Sequence, residues 1–503
     1  MPENVLIAGA GPTGLLLAGD LAAAGVDVTV LERRVGPSEL TRAFAVHART
    51  LELFDMRGIA DALLRTGRRV RQIRFFGHVG IDLSGLPGRF PFVLVTPQYE
   101  TERVLRDRAV AAGARFQEGV EVTGLRQDAE GVAVHVRTAD GTTGVRRAAY
   151  AVGADGAHSA VRAALGLPFG GTSAAREVML ADVRLDAEPE EIFQFGVGRD
   201  VFAVIVPFGD GWYRAVAWDD DDRAAGTGEV DLDALRAALR KAHGTDFGLG
   251  AARWTSRYST DERQVPRYRA GRVLLAGDAA HVHSPVGGQG MNIGLHDAAN
   301  LAWRLAAVLR GHAPDTLLDG YHAERHPVGR QIVAGTGALM RLLLARSPVL
   351  RAARPVLVRA AALPPIRRRV ALVASGLATA YPAPRGTHPL TGRRAPDVPL
   401  ARGAGRLFEA LRDGTFVLVA AADDPALGYL VEQRWPGRVR YAVAGGRTRA
   451  TVLVRPDGHI AWATDETAPD ARAAAVRDAL AGWAGPPAGT AAPAGQNRWL
   501  SRP

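Results

Sequence analysis

The residues able to organise chemistry fall in three short runs. The first is Gly9-Ala10-Gly11-Pro12-Thr13-Gly14, answered further on by an acidic residue, Glu32. It sits between an apolar run, Val5-Leu6-Ile7-Ala8, and a stretch from Leu15 to Ala24 with helical spacing; Val26 to Leu31 is then rich in β-formers. A strand, a G-x-G-x-x-G turn, a helix and a second strand ending in a carboxylate make a dinucleotide-binding fingerprint. Gly9 allows the tight turn, Gly11 lets backbone approach a pyrophosphate, and Gly14 permits close helix–strand packing. Glu32 can accept hydrogen bonds from ribose hydroxyls and repels a 2′-phosphate, so the site suits FAD or NAD rather than NADP.

The second run, Gly153-Ala154-Asp155-Gly156 through Arg162, sets a carboxylate at the end of an apolar strand. Read alone it is equally an Asp-Gly turn. The third begins Val273-Leu274-Leu275-Ala276-Gly277-Asp278, a buried strand with Asp278 at its carboxyl end, where ligands of parallel sheets sit. Pro285-Val286-Gly287-Gly288-Gln289-Gly290-Met291-Asn292 then forms a glycine loop entering a helix over 293–309. Backbone N–H groups at such a helix start stabilise a developing anion.

These runs need elements to hold them. Residues 43–66 and 98–112 read as helical, Ile73 to Val95 as short antiparallel strands, and 115–152 as a strand meander. Residues 176–265 differ in texture: alternating runs and concentrated aromatics predict an antiparallel sheet with one helix near 231–243. An α/β pattern returns over 271–310, and 320–380 is helical and arginine-rich. His388 to Gly485 reads as a separate small α/β unit, and a Pro/Ala/Gly-rich tail from Pro486 is expected to be disordered. The basic helices near 341–372 are expected to be a solvated face rather than a membrane-surface element.

Composition narrows the chemistry. The chain has 503 residues, enough for several domains, and no cysteine. Disulfides, cysteine-ligated metals and thiol catalysis are excluded, so redox chemistry needs a bound cofactor. The net charge of +10 comes almost wholly from dispersed arginine, since Lys241 is the sole lysine. No concentrated basic face with interleaved aromatics points to nucleic acid. With neither a secretory signal nor an apolar run of spanning length, no membrane is expected and the cytoplasm is the expected compartment.

In this order the three runs resemble the class A flavoprotein aromatic hydroxylases, the family of p-hydroxybenzoate hydroxylase, over roughly residues 4–380. Within that family the chain is similar to the aromatic polyketide hydroxylases of bacterial antibiotic pathways. These carry a C-terminal thioredoxin-like domain without a redox cysteine pair, which the stretch containing Val452 to Trp462 resembles. The resemblance implies an α/β fold: a discontinuous Rossmann-like FAD-binding domain (1–175 and 266–380) with an inserted antiparallel-sheet substrate domain (176–265, with strands from 70–96). A thioredoxin-like domain (385–485) and a tail (486–503) would follow.

It further implies that Gly9, Gly11, Pro12, Thr13, Gly14, Glu32, Arg33, Arg42, Gln98, Val122, Asp155 and Asp278 hold FAD. Pro285, Gly287, Gly288, Gly290, Met291 and Asn292 would border the flavin, and Arg162 would contact NAD(P)H. His47, Phe195, Phe202, Trp212 and Tyr213 are candidates for the substrate lining, together with Phe193. His47, His78 and His283 are candidate general bases. In the family, NADPH or NADH reduces FAD, O2 adds to give a C4a-hydroperoxide, and its terminal oxygen passes to an electron-rich polycyclic ring. No metal is expected, and a monomer or homodimer is. Baeyer–Villiger insertion, inactivation of a rifamycin-type antibiotic, and a non-catalytic flavoprotein partner are the alternatives.

Overall fold

Val5 and Ile7 are wholly buried, as are Val30 and Val152. Strands with both faces apolar must lie inside a sheet covered on each side, and these do. In the computed structural model Glu3–Ala8 pairs in parallel with Val28–Glu32 on one side and Thr143–Gly153 on the other. Arg115–Glu118 extends the sheet past Val28–Glu32, and Val273–Leu275 extends it past Thr143–Gly153. Arg269–Ala270 pairs antiparallel with Val273–Leu275 at one edge, and an antiparallel meander, Val120–Gln127 and Val132–Thr138, completes eight strands. The structure describes residues 3–489 apart from 37–42, 76–78, 174–177, 199, 209, 222–229, 259, 285–286, 345–346, 362, 403–404 and 447. Arg42, His78, Pro285, Val286 and the tail from residue 490 therefore lie outside the described residues.

Helix Pro12–Ala23 packs between the sheet and the long helix Gly290–Leu309. The sequence reading began this second helix at residue 293; the structure starts it one turn earlier, with Gln289 as its N-cap. A single helix over 43–66 is corrected to two, Ala48–Asp55 and Ala60–Leu64, separated by the positive-φ Gly58.

The inserted sheet has five antiparallel strands: Gln194–Val197, Val201–Pro207, Tyr213–Asp219, Val178–Leu185 and Leu249–Tyr258 in spatial order. One face is covered by helix Leu232–His243 through Met179, Ala181, Ala203, Ile205 and Ala215. The strands expected from 70–96 do not join it. Arg68–Val70 and Ala45–Val46 both pair with Val93–Val95, and Gln72–Phe75 pairs with Val79–Asp82, in two small separate sheets. Val70 and Val95 nevertheless pack against Phe193, Val204 and Val206 on the sheet's second face. Asp261–Gln264 leaves the insert and pairs with Gly170–Ser173 and His281–Val282.

The C-terminal unit is a five-stranded sheet in which Phe416–Ala420 and Val439–Ala444 run parallel around helix Pro425–Arg434. An antiparallel pair, Thr451–Val454 and Ile460–Thr464, and helix Pro469–Trp483 follow, a thioredoxin-like order. It is not separate. Phe408, Val417, Val454 and Ile460 belong to the same buried cluster as the flavin-domain sheet. Buried ions reinforce the seam: Arg455 holds Glu324 at 2.7 Å, and Glu52 receives Arg394 and Arg49.

Although burial opposes it, Arg304 and Arg455 hold the Glu324 carboxyl down to about 2 from an ordinary 4.5. A depressed carboxyl stabilises the fold above its unfolded value and loses that contribution as pH falls towards its folded value. Thermal stability should therefore fall between about pH 4.5 and pH 2, and Glu324→Gln should flatten that part of the profile. Calorimetry of both proteins across this range checks it.

Candidate active site

The first turn is built by exclusion. Gly9 has φ +102°, and a Cβ there would lie 2.4 Å from the Ala154 carbonyl oxygen. A Cβ on Gly14 would come within 2.0 Å of the Gly9 carbonyl oxygen. Gly11 is different: its φ is −75°, and a Cβ would meet nothing within 4 Å. That open space lies at the start of helix Pro12–Ala23, where orphan N–H groups and the helix dipole favour an anion. Thr13 turns its side chain inward, wedged against Gly277 and Gly294, whose built Cβ atoms would lie 2.7 and 2.3 Å from its Oγ1. Its main-chain N–H is what remains for the loop.

Glu32 ends its strand with a buried carboxylate that accepts from the Ala10 N–H at 2.7 Å and from the Arg34 N–H and Nε at 3.0 Å. Burial raises its pKa, but these donors outweigh burial and hold it below the ordinary range. Arg33 is exposed beside it. Gln98 opens helix Gln98–Ala111 and fixes the chain entering from the Arg42 side by accepting from the Ala43 N–H at 2.9 Å. Val122 is buried in the meander.

Asp155 stands against Gly9, whose built Cβ would lie 3.0 Å from the Asp155 Cα. Its Oδ2 accepts from the Val161 N–H at 3.1 Å, while its buried Oδ1 has no partner among the described residues. Burial pushes its pKa up. Asp278 projects, exposed, from the end of Val273–Leu275 between buried Gly277 and Ala279. An open space over Gly11, an orphaned oxygen on Asp155 and an exposed carboxylate at the strand end suit the phosphate, nucleoside and polyol parts of FAD.

The glycine loop is positioned from behind. Gly287 and Gly288 both have positive φ, +90° and +63°. Asn292 is buried and fully used: Nδ2 donates to the Ala45 carbonyl at 2.9 Å and the Gly288 carbonyl at 2.7 Å, and Oδ1 accepts from the His47 N–H at 2.9 Å. The side chain clamps the loop to residues 45–47. Gly290 and Met291, at the helix start, are half-buried.

His47 is brought to this loop, its Nε2 3.5 Å from a Cβ built on Gly288. Burial pushes its pKa down to about 4, and Nδ1 has no partner among the described residues. His283 is likewise pushed down to about 4 by burial, with Nδ1 2.8 Å from the Ser284 carbonyl. Both rings are neutral at pH 7. Behind the loop lies a chamber lined by His47, Gln289, His296, Ile293 and Tyr381, with His459 supplied by the C-terminal unit.

Arg162 does not face solvent freely. Its guanidinium donates to the Ala279 carbonyl at 3.1 Å and the Ala157 carbonyl at 2.6 Å and lies over the Phe169 ring. The substrate candidates divide. Phe195 stacks on Phe193 and faces the flavin domain with Val204 and Val216; Phe202 stacks on Trp218 near Met340 and Leu344. Tyr213 is on the other side, in the layer under helix Leu232–His243, because side chains alternate along its strand. That placement removes it from the expected lining. Trp212 lies between the guanidinium groups of Arg184 and Arg253.

Two groups escaped the sequence reading. Arg214 is fully buried on the flavin-domain side, paired with Asp182 and ringed by Phe44, Phe208 and Trp254. Asp297, also fully buried, accepts from the Gly277 N–H at 3.1 Å and meets His281 and Arg325, each at 2.7 Å. It lies one to two helical turns after the loop; an acidic residue three and seven positions before Asn300 and Arg304 on one helix face was the available signal.

Comparison with known proteins bears on this geometry. Residues 3–336 match the family model described as FAD binding domain, and 388–487 the one described as aromatic-ring hydroxylase, C-terminal. The 12-dehydrotetracycline 5-monooxygenase/anhydrotetracycline 6-monooxygenase of Streptomyces rimosus is 39% identical, over 97% of this chain and all of its own length. The rifampicin monooxygenase of Streptomyces venezuelae is 37% identical over 92% of this chain and 96% of its own. The structure of anhydrotetracycline hydroxylase from Streptomyces rimosus superposes with TM-score 0.85 at 38% identity, covering 97% of this chain and all of that one.

Two substitutions separate folding from binding. Gly11→Val should fold, since its Cβ meets nothing, yet bind FAD well over tenfold more weakly; each tenfold is about 1.4 kcal/mol. Asp297→Asn should lower thermal stability by about 3–5 kcal/mol by stranding Arg325 and release FAD on dilution. Visible absorbance per protein and circular-dichroism melting check both; a Gly11→Val protein that remained fully yellow would contradict the pyrophosphate assignment.

Proposed function

The chain belongs to the class A FAD-dependent aromatic-ring hydroxylases, and from that premise we propose that it hydroxylates a polycyclic aromatic polyketide with electrons from NADPH or NADH. It is an FAD-dependent monooxygenase. The balanced reaction consumes NAD(P)H, a proton, O2 and substrate, and yields NAD(P)+, water and the substrate with one added oxygen. Bound FAD supplies the redox and oxygen chemistry; the protein supplies binding, orientation and exclusion of water.

Each group then has a task. The Gly9–Gly14 loop and helix start hold the pyrophosphate, Glu32 the adenosine ribose, and Asp278 the polyol chain. Gly287 and Gly288 and the start of helix Gly290–Leu309 would offer main-chain N–H groups to the flavin, a setting that favours negative charge. Neutral His47 lies against that loop and can accept a hydrogen bond from a phenolic substrate. The substrate lies against Phe195, Val216 and Phe202, which turn from the inserted sheet towards the flavin domain, and Arg214 on the same side orients an oxygen of the ring system. NAD(P)H has no second glycine-loop domain and visits from outside; Arg162 acts by shaping the segment around Ala157 rather than as an open cation.

The observation that carries the reading is the joint placement of the open Gly11 loop, Asp155 and Asp278 around one sheet end. The similarity to a rifampicin monooxygenase favours one second reading, oxidation of a finished antibiotic at the same site. A panel of tetracyclic intermediates and a rifamycin, incubated with FAD-loaded protein and each nicotinamide under ¹⁸O2, decides between them. One added ¹⁸O in a tetracyclic product supports the first reading, and labelling of the rifamycin alone the second. Under the same assay His47→Gln should lower kcat about 10²-fold with little change in FAD content.

A further inference from the structure

The arginine-rich helices that follow the flavin domain are not the solvated polar face their charge suggested. In helix Pro348–Ala361, Val349 and Val356 are seven residues apart on one face and 77% and 64% exposed. Leu363, Ile366 and Val373 repeat the pattern at spacings of three and seven in the cap and body of helix Pro364–Ala374, at 53%, 41% and 54% exposed. An apolar stripe at helical spacing ordinarily packs on a core; these two face outward. Of eleven exposed large hydrophobic side chains among the described residues, six fall between 349 and 373. They form a patch rather than the scatter normal for a surface.

Charge says what covers it. From Arg325 to Pro396 the sequence has thirteen arginines and no aspartate or glutamate. Arg359, Arg367, Arg368 and Arg369 are exposed beside the stripes, and the neighbouring strand brings Asp82 near Arg367. A second copy would set this cationic run against itself. Residues 347–374 also contain no Trp, Tyr or Phe, the first two being side chains that anchor most protein interfaces. Aliphatic stripes flanked by arginine match the headgroup boundary of an anionic bilayer. No described helix is long and apolar enough to cross a membrane.

We propose that helices Pro348–Ala361 and Pro364–Ala374 dock the protein on an anionic lipid surface, their aliphatic stripes entering the headgroup boundary and their arginines meeting lipid phosphates. The test is co-sedimentation of the FAD-loaded protein with vesicles of phosphatidylcholine alone or mixed with phosphatidylglycerol. Binding to the mixed vesicles only, reversed by salt, is expected. Each arginine is worth about fivefold in partitioning, so Arg367→Gln/Arg368→Gln/Arg369→Gln should weaken it on the order of a hundredfold. Val356→Glu should abolish it with FAD content and melting temperature unchanged. Three results would overturn the proposal: no binding to anionic vesicles, a concentration-dependent dimer that Val356→Glu dissolves, or equal binding to polyglutamate that Val356→Glu leaves intact. The second assigns the patch to another copy and the third to an acidic protein. None depends on turnover, so the outcome stands apart from the choice of substrate.

Discussion

One buried carboxylate holds the site together. Asp297 has no exposure, and its two oxygens satisfy the Gly277 N–H, His281 and Arg325. Through Gly277 it fixes the strand end that projects Asp278. Through its own helix it fixes the glycine loop one to two turns earlier. Through Arg325 it anchors helix Asp319–Leu344, whose far end carries Met340 to the inserted sheet. A charge so deeply buried is tolerated only when paired. The strand end, the glycine loop and helix Asp319–Leu344 are therefore constrained to the spot where the pairing is complete.

The C-terminal unit follows the same logic. With no cysteine it carries out no thiol chemistry. It completes the core and supplies ions to a seam rather than standing as an appendage. Arg455 and Asp457 meet Glu324 and Asn300 of the flavin-domain helices, and Arg406 meets Asp55. His459 reaches the chamber behind the glycine loop. The unit thus bears on the environment of His47, and its removal would strand several buried charges at once.

Burial explains why neither candidate base behaves like a free imidazole. His47 and His283 sit where solvent is excluded, and the neutral ring is the form burial favours. A neutral ring can accept a hydrogen bond from a phenol, while the same burial weakens it as a base. The same burial leaves Arg162 tied to internal carbonyls. Its resemblance to a nicotinamide-contacting position is thereby recast as one of shape.

Adjacent residues alone were enough to mark the dinucleotide-binding fold and the family to which the chain belongs. The spacing of Gly9, Gly11, Gly14 and Glu32 within one strand–helix–strand unit is local, so the chemistry of each glycine followed from its position. The absence of cysteine and the alternating texture of 176–265 were legible for the same reason: they are properties of adjacent residues. Tertiary structure alone decided which face of a strand each aromatic occupies, and so separated Tyr213 from Phe195 and Phe202. It also decided that Asn292 clamps backbone, that Asp297 and Arg214 are buried with partners distant in sequence, and that the small strands of 68–95 pair outside the inserted sheet. Those outcomes depend on which long-range partner completes a buried polar group, and no periodicity or motif encodes that partner.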